Sequence, residues 1–167
     1  MKAARYIPVL TTAAMMVLIF MLSSQTSESS ASLSTGVTQR IVDLVASVAN
    51  IPSSEKPSMV LALHHIVRKA AHFTLYALLG LSANAMFTSL CPKSGRLKRV
   101  LYTAVFCCLS AALDELHQKF VSGRGPQVTD VMIDTAGALC GCAVFAVLTA
   151  AAKRTVRRRA QKRKRGN

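Results

Sequence analysis

Tryptophan is absent from the 167 residues, aromatic side chains make up only 5%, and the 7 acidic residues are outnumbered by 21 lysines and arginines. With 51% of the chain apolar and a formal charge of +14, this balance points to a small membrane protein with basic cytoplasmic ends. Other absences narrow the chemistry. No internal repeat is present. The five cysteines, at 91, 107, 108, 140 and 142, form no C-x-x-C pair and lie mostly in apolar runs, so they read as small packing residues and not as zinc or redox ligands. No D-x-D or H-x-x-x-H spacing supports a metal site. No G-x-x-x-x-G-K-[ST] loop and no serine nucleophile elbow occurs. Neither a metal nor a cofactor is expected.

Four apolar runs remain, at residues 7–22, 70–90, 100–116 and 131–152. Each is near the roughly 20 residues that cross a hydrocarbon core. The first has the basic start of a signal peptide, but its length and the lack of an A-x-A site favour an uncleaved helix. Orientation follows from the basic residues, because cytoplasmic loops hold the excess of Lys and Arg. Lys2 and Arg5 precede the first run, Lys93, Arg96, Lys98 and Arg99 separate the second from the third, and KRTVRRRAQKRKR follows the fourth. Only Arg40, Lys56, Arg68, Lys69, Lys119 and Arg124 fall on the other side.

The expected fold is therefore all-α, a four-helix transmembrane bundle with both termini cytoplasmic and an additional external amphipathic helix. Its segments are a first span over 1–22, an external loop over 23–67, a three-span core over 68–152 and a basic tail over 153–167. The loop begins as a flexible Ser-rich chain. Behind Ser34 and Thr35, Val37, Ile41, Leu44, Val45 and Val48 then recur at helical spacing, predicting a helix on the outer interface or on the bundle. Residues 50–57 break it, and Ser58 is the expected N-cap of the next helix. The tail reads as a disordered topology determinant drawn to anionic lipid, with no nucleic-acid partner.

Polar residues gather at one depth. His65, Lys69, His72 and Tyr76 are spaced four, three and four apart, along one face at the start of the second span. Asp114, Glu115, His117 and Gln118 end the third span, and Asp130 and Asp134 begin the fourth. Burying four carboxylates for packing alone is costly, which favours a functional pocket. Gly137 and Gly141 continue the aspartate stripe as a G-x-x-x-G pair that admits close helix approach. Clustered carboxylates can keep one member protonated as an acid, with His72 or His117 as base. His72, Asp114, Glu115 and His117 are thus the candidate catalytic residues. Lys69 and Arg124 are candidates to hold a phosphate or carboxylate, with Tyr76, Gln118, Asp130 and Asp134 as further binding residues.

The segments RKAAHFTLYALLG and DELHQKFVSGRGPQVTDVMIDTAGALCG, with FMLSSQTSESSASLS upstream, resemble the VanZ-like family of small bacterial membrane proteins. The resemblance covers roughly residues 10–150 and includes Lys69, His72, Phe73, Tyr76, Asp114, Glu115, His117, Gln118, Arg124, Asp130, Asp134, Gly137 and Gly141. The chain departs from the pattern at Leu75, where many members have Glu, and in SGRGPQ, where PGRSGQ is commoner. The resemblance implies a multi-pass protein of the bacterial cytoplasmic membrane, whose namesake is linked to teicoplanin resistance. The expected role is to act on or bind a cell-envelope component, with membrane lipid or a lipid-linked cell-wall precursor as partner. A membrane-embedded hydrolase or transferase is the alternative. A proton-coupled transporter ranks last, because four short helices offer little room for an alternating path, and the inner halves of the later spans, with almost nothing ionisable, lean toward a closed pocket.

Overall fold

The structure, a computed structural model, describes residues 5–25, 27–120 and 127–165. All regular structure among them is helical: α1 (Ile7–Ser23), α2 (Ser27–Ala49), α3 (Lys56–Leu90), α4 (Arg96–Gln118) and α5 (Val128–Arg165). Three stretches are long and apolar enough to cross a membrane, Lys56–Leu90, Arg96–Gln118 and Val128–Gln161, whereas α1 is apolar but shorter, at 17 residues.

α3 is the central element and packs against each of the other four helices. The Arg5 guanidinium donates to the carbonyls of Ser89 (3.1 Å) and Leu90 (3.4 Å), so the start of α1 sits at the end of α3. Those carbonyls lie in the last turn, where no intrahelical donor remains. At the opposite end, Ser23 meets Asp114, and Lys69 meets Asp130. α1 and α4 therefore run against α3 and α5, which run parallel to each other.

Small residues set how closely α3 and α5 approach. A Cβ on Gly137 would collide with the carbonyl oxygen of Phe73, one on Gly141 with that of Ala77, and one on Gly80 with that of Ala138. Lipid chains are as apolar as leucine, so packing contacts of this kind hold membrane helices together. Around them Ile19, Tyr76, Leu79, Ala83, Cys107, Ala111 and Ala138 form the buried core. Cys107 and Cys142 are buried as expected of packing residues, whereas Cys108 and Cys140 face outward.

The segment between the first and second apolar runs, expected to be an external loop, is more ordered than its composition predicts. α2 begins at Ser27, within the stretch expected to be flexible. Its hydroxyls fold back on the helix, Ser34 Oγ donating to Ser30 O (3.0 Å) and Thr38 Oγ1 to Ser34 O (2.7 Å), which removes their competition with the backbone. The face turned to α3 is Thr38, Val42 and Ala46. The expected apolar stripe looks outward, so that Val42 is 1% exposed and Val48 79%. Asn50 ends the helix at φ 52°, and the Ile51 N–H donates to Ala46 O at 3.1 Å, a Schellman closure. α3 then starts at Lys56, with Pro57 in its first turn, two residues before the expected cap.

Lys56 Nζ donates to Asp43 Oδ1 at 2.9 Å and ties α3 to α2. That bond holds the Asp43 carboxyl below its ordinary value. A carboxyl depressed in the fold contributes stability above its unfolded value and loses it as pH falls through the folded one. Lys56→Ala should therefore move the Asp43 titration upward in a carbon-detected NMR series. An unmoved midpoint would mean that the pair does not form in solution.

The basic tail differs from the disordered segment expected. α5 continues unbroken to Arg165. Residues 150–165 contain neither Gly nor Pro and are rich in Ala, Lys, Arg and Gln, the strongest helix formers.

Candidate functional site

The end of the molecule away from Arg5 collects polar groups from four helices. On α3 the spacing of Lys69, His72 and Tyr76 places them on one face toward α5 and α4. Lys69 Nζ lies 3.1 Å from Asp130 Oδ1, and His72 Nδ1 lies 3.9 Å from Asp134 Oδ2, beyond hydrogen-bond reach. The parallel run of α3 and α5 makes these successive rungs, and the glycine contacts at Phe73 and Ala77 continue them. Tyr76 is buried and lines the same groove as Asp114 and His117. His65, on the same nominal stripe, stays outside the cluster, exposed and with its ring 3.9 Å from that of His64.

α4 contributes its last turn. Asp114 Oδ2 accepts from Ser23 Oγ at 2.6 Å and from Gln118 Nε2 at 3.2 Å, and Gln118 Nε2 also reaches Ser23 Oγ at 3.2 Å. Glu115 Oε1 accepts the backbone N–H of Gln127, at the start of α5. His117 Nε2 lies 3.1 Å from Ser24 Oγ, and its ring centroid is 4.7 Å from that of Phe20. The Ser24 hydroxyl already donates to Phe20 O at 2.7 Å, so a lone pair faces the imidazole.

Ser23, Ser24 and the Gln127 amide are the members that sequence reasoning missed. The signal for the two serines was the pair SS after an apolar run, inside the stretch FMLSSQTSESSASLS that carries part of the family resemblance. It is a weak one, since the same residues also read as the start of a flexible loop. Arg124, expected at the site, lies outside the described residues.

The described cluster is rich in acceptors and poor in cations. It holds the carboxyl groups of Asp114, Glu115, Asp130 and Asp134 against one lysine, whose ammonium is taken by Asp130. Asp134 is 4% exposed, and its Oδ1 is a buried oxygen with no hydrogen-bond partner among the described residues. No group of three or more His, Cys, Asp or Glu among the described residues is arranged to hold a metal ion.

Two grooves lead to the cluster. The first, about 240 Å³, runs between α1 and α4 with α3 at its floor, lined by Met16, Ile19, Phe20, Leu79 and Leu113 and ending at Tyr76, Asp114 and His117. The second, about 190 Å³, lies between α2 and α3 beside the end of α1 and carries Leu33, Val37, Val67 and Leu75 together with Arg68 and His72. Such a site can bind a hydrogen-bond-donating group, and it places the Ser24 hydroxyl beside the His117 imidazole.

The family model described as VanZ/LLP1 matches residues 8–149, most of the chain and all of the cluster. No curated protein and no solved structure matches it.

Proposed function

The chain belongs to the VanZ/LLP1 family, and on that footing we propose that its polar cluster binds the headgroup end of an envelope lipid. The lipid is a phospholipid or a lipid-linked cell-wall intermediate in the outer leaflet of a bacterial cytoplasmic membrane. α1 serves as the fourth span, both termini are cytoplasmic, and the cluster faces outward. This orientation is supported by the basic residues: Arg5, the loop before α4 and the end of α5 share one end of the molecule, and the cluster occupies the other. At 17 residues α1 is about 26 Å long, a small mismatch to a core of about 30 Å.

One observation carries the reading. Asp114 belongs both to the buried network with Ser23 and Gln118 and to the end of the apolar groove between α1 and α4. An amphiphile with its chain in that groove brings its polar end to the carboxyl cluster. Glycopeptide tolerance, the property linked to the family's namesake, then follows from altered presentation of surface lipid. The buried Leu79, Ala83, Cys107, Ala111 and Ala138 lie beneath the cluster and weigh against a proton-coupled transporter.

A second reading is favoured by the 3.1 Å approach of Ser24 Oγ to His117 Nε2 at the mouth of the same groove. If the Ser24 hydroxyl rotates its proton from Phe20 O to His117 Nε2, the two make a nucleophile and base pair, and the bound lipid would be a substrate of a hydrolase or transferase. The experiment is a comparison of phospholipids, lipid-linked precursors and teicoplanin response in cells carrying the native chain, Glu115→Gln or Ser24→Ala. Loss of the native lipid profile in Glu115→Gln alone supports binding, and loss in both supports catalysis. Unchanged lipids and an unchanged antibiotic response in both would sink the site.

A further inference from the structure

Sequence spacing makes Lys69 a cation expected to hold a phosphate, but in the structure its ammonium is held by Asp130. The residue before it is differently placed. Arg68 is partly buried and lines the groove between α2 and α3, which Gln25 and Ser30 also line. None of these three side chains has a hydrogen bond or ion pair to another described residue. Of the two acidic residues of α2, Asp43 is bonded to Lys56, and Glu28 stands two positions from Ser30, about 160° round the helix.

The rest of the lining is mostly apolar, and it is graded with depth. Leu75 follows Arg68 by seven residues, about 10 Å along α3. Leu22 lies in the last turn of α1 and Gln25 just beyond it. Because α1 runs against α3, Leu22 and Leu75 both lie deeper in the bundle than Gln25 and Arg68. Leu22 is exposed as well as lining the groove, which leaves that side open to lipid.

A guanidinium above apolar walls selects its ligand by two requirements at once. The planar fork offers paired N–H donors that fit two oxygens of a phosphate, and the neighbouring amide and hydroxyl add neutral donors. The walls below take hydrocarbon. A free phosphate meets only the first requirement and an uncharged lipid only the second. A zwitterionic headgroup meets both, but it also brings an ammonium toward the positive charge of Arg68.

We propose that the groove between α2 and α3 is a second lipid site, for a phospholipid of net negative headgroup, with its phosphate at Arg68 and its chain along Leu22 and Leu75. In the orientation proposed above this lipid belongs to the outer leaflet. Gln25, Ser30 and Arg68 lie outside the carboxyl cluster, so this site stands or falls separately from the headgroup reading.

The test uses the full-length protein in nanodiscs of equal parts phosphatidylglycerol, phosphatidylethanolamine and phosphatidylcholine, with retained lipid identified by native mass spectrometry. Phosphatidylglycerol should be retained about tenfold over phosphatidylcholine, the scale of one charge-assisted hydrogen bond. The basic end of α5 attracts the same lipid, so the variants carry the assignment. Arg68→Gln should cut the preference about fivefold, and Arg68→Lys by less, since the charge is kept and only the fork is lost. Arg40→Gln removes an exposed cation of α2 that does not line the groove, and it should leave the preference unchanged. Ala71→Phe, at an exposed position on the groove, should fill it and lower retention as Arg68→Gln does. Equal retention of the three lipids by the native chain, or equal effects of Arg40→Gln and Arg68→Gln, would overturn the site. An unchanged preference in Ala71→Phe would remove the groove from it, and displacement of phosphatidylglycerol by excess inorganic phosphate would replace the lipid with a free anion. None of these variants alters Asp114 or Glu115, so failure here leaves the cluster reading standing.

Discussion

Gly141→Leu is expected to leave little correctly folded protein in the membrane, with a loss of at least about 3 kcal/mol, at the upper end of overpacking costs. A Cβ at this position meets the carbonyl oxygen of Ala77 and lies 2.7 Å from the Leu81 nitrogen. Both are backbone atoms of a continuous helix, so no rotamer change relieves the clash. α5 would have to move away from α3, opening the rungs between Lys69 and Asp130 and between His72 and Asp134. Gly36→Ala is the matched control, because nothing lies within 4 Å of its added Cβ and a helix-interior Gly is worse than Ala by about 1 kcal/mol. Size-exclusion profiles and thermal inactivation of the two variants should separate widely. Equal behaviour would mean that α3 and α5 do not pack through these glycines.

Asp114→Ala is expected to have the second-largest effect, about 2–4 kcal/mol of stability, because the buried Ser23 hydroxyl loses the carboxylate it donates to and Gln118 loses one of its two acceptors. Ser23 is 1% exposed and Gln118 5%, so neither recovers a water hydrogen bond without rearrangement. The end of α1 is anchored to α4 through this network, and its release should expose Ser23. Asp114→Asn separates the contributions, since the amide still accepts from Ser23 but has lost the carboxylate charge. The alanine variant should lower thermal stability and bound lipid together. The asparagine variant should retain most of the stability and lose the lipid. Equal stability of native and Asp114→Ala protein would remove the network from the account of how α1 is held.

Much of this site could be read before the structure, and the reason is periodicity. Lys69, His72 and Tyr76 share a helix face at any register, as do Asp130, Asp134, Gly137 and Gly141, and the distribution of Lys and Arg sets the directions of the helices that bring them together. Ser23 and Ser24 escaped because a hydroxyl at a helix end has no period to betray it. The tract that follows them reads as flexible until its Oγ atoms are seen bonded to carbonyls of their own helix. The stripe on α2 shows a different limit. Spacing identifies Val37, Ile41, Leu44, Val45 and Val48 as one side of a helix, yet it says nothing of which neighbour covers them, and the side that meets α3 proves to be Thr38, Val42 and Ala46. The tail illustrates a third. Its charge suggests solvent, and solvation does not prevent a run of good helix formers from extending the span before it.

The order in which the cluster's members leave the ribosome has a consequence for how the protein is made. Ser23 is synthesised 91 residues ahead of Asp114, and Lys69 is synthesised 61 residues ahead of Asp130. Asp114 is made with α4, whereas Asp130, which holds the Lys69 ammonium, is made only with the final helix. In the orientation proposed above, Asp130 and Asp134 then cross the membrane near the end of translation. A nascent chain stopped short of α5 is thus an unfinished product that carries Lys69 without Asp130, a form that membrane quality control can distinguish from the completed protein.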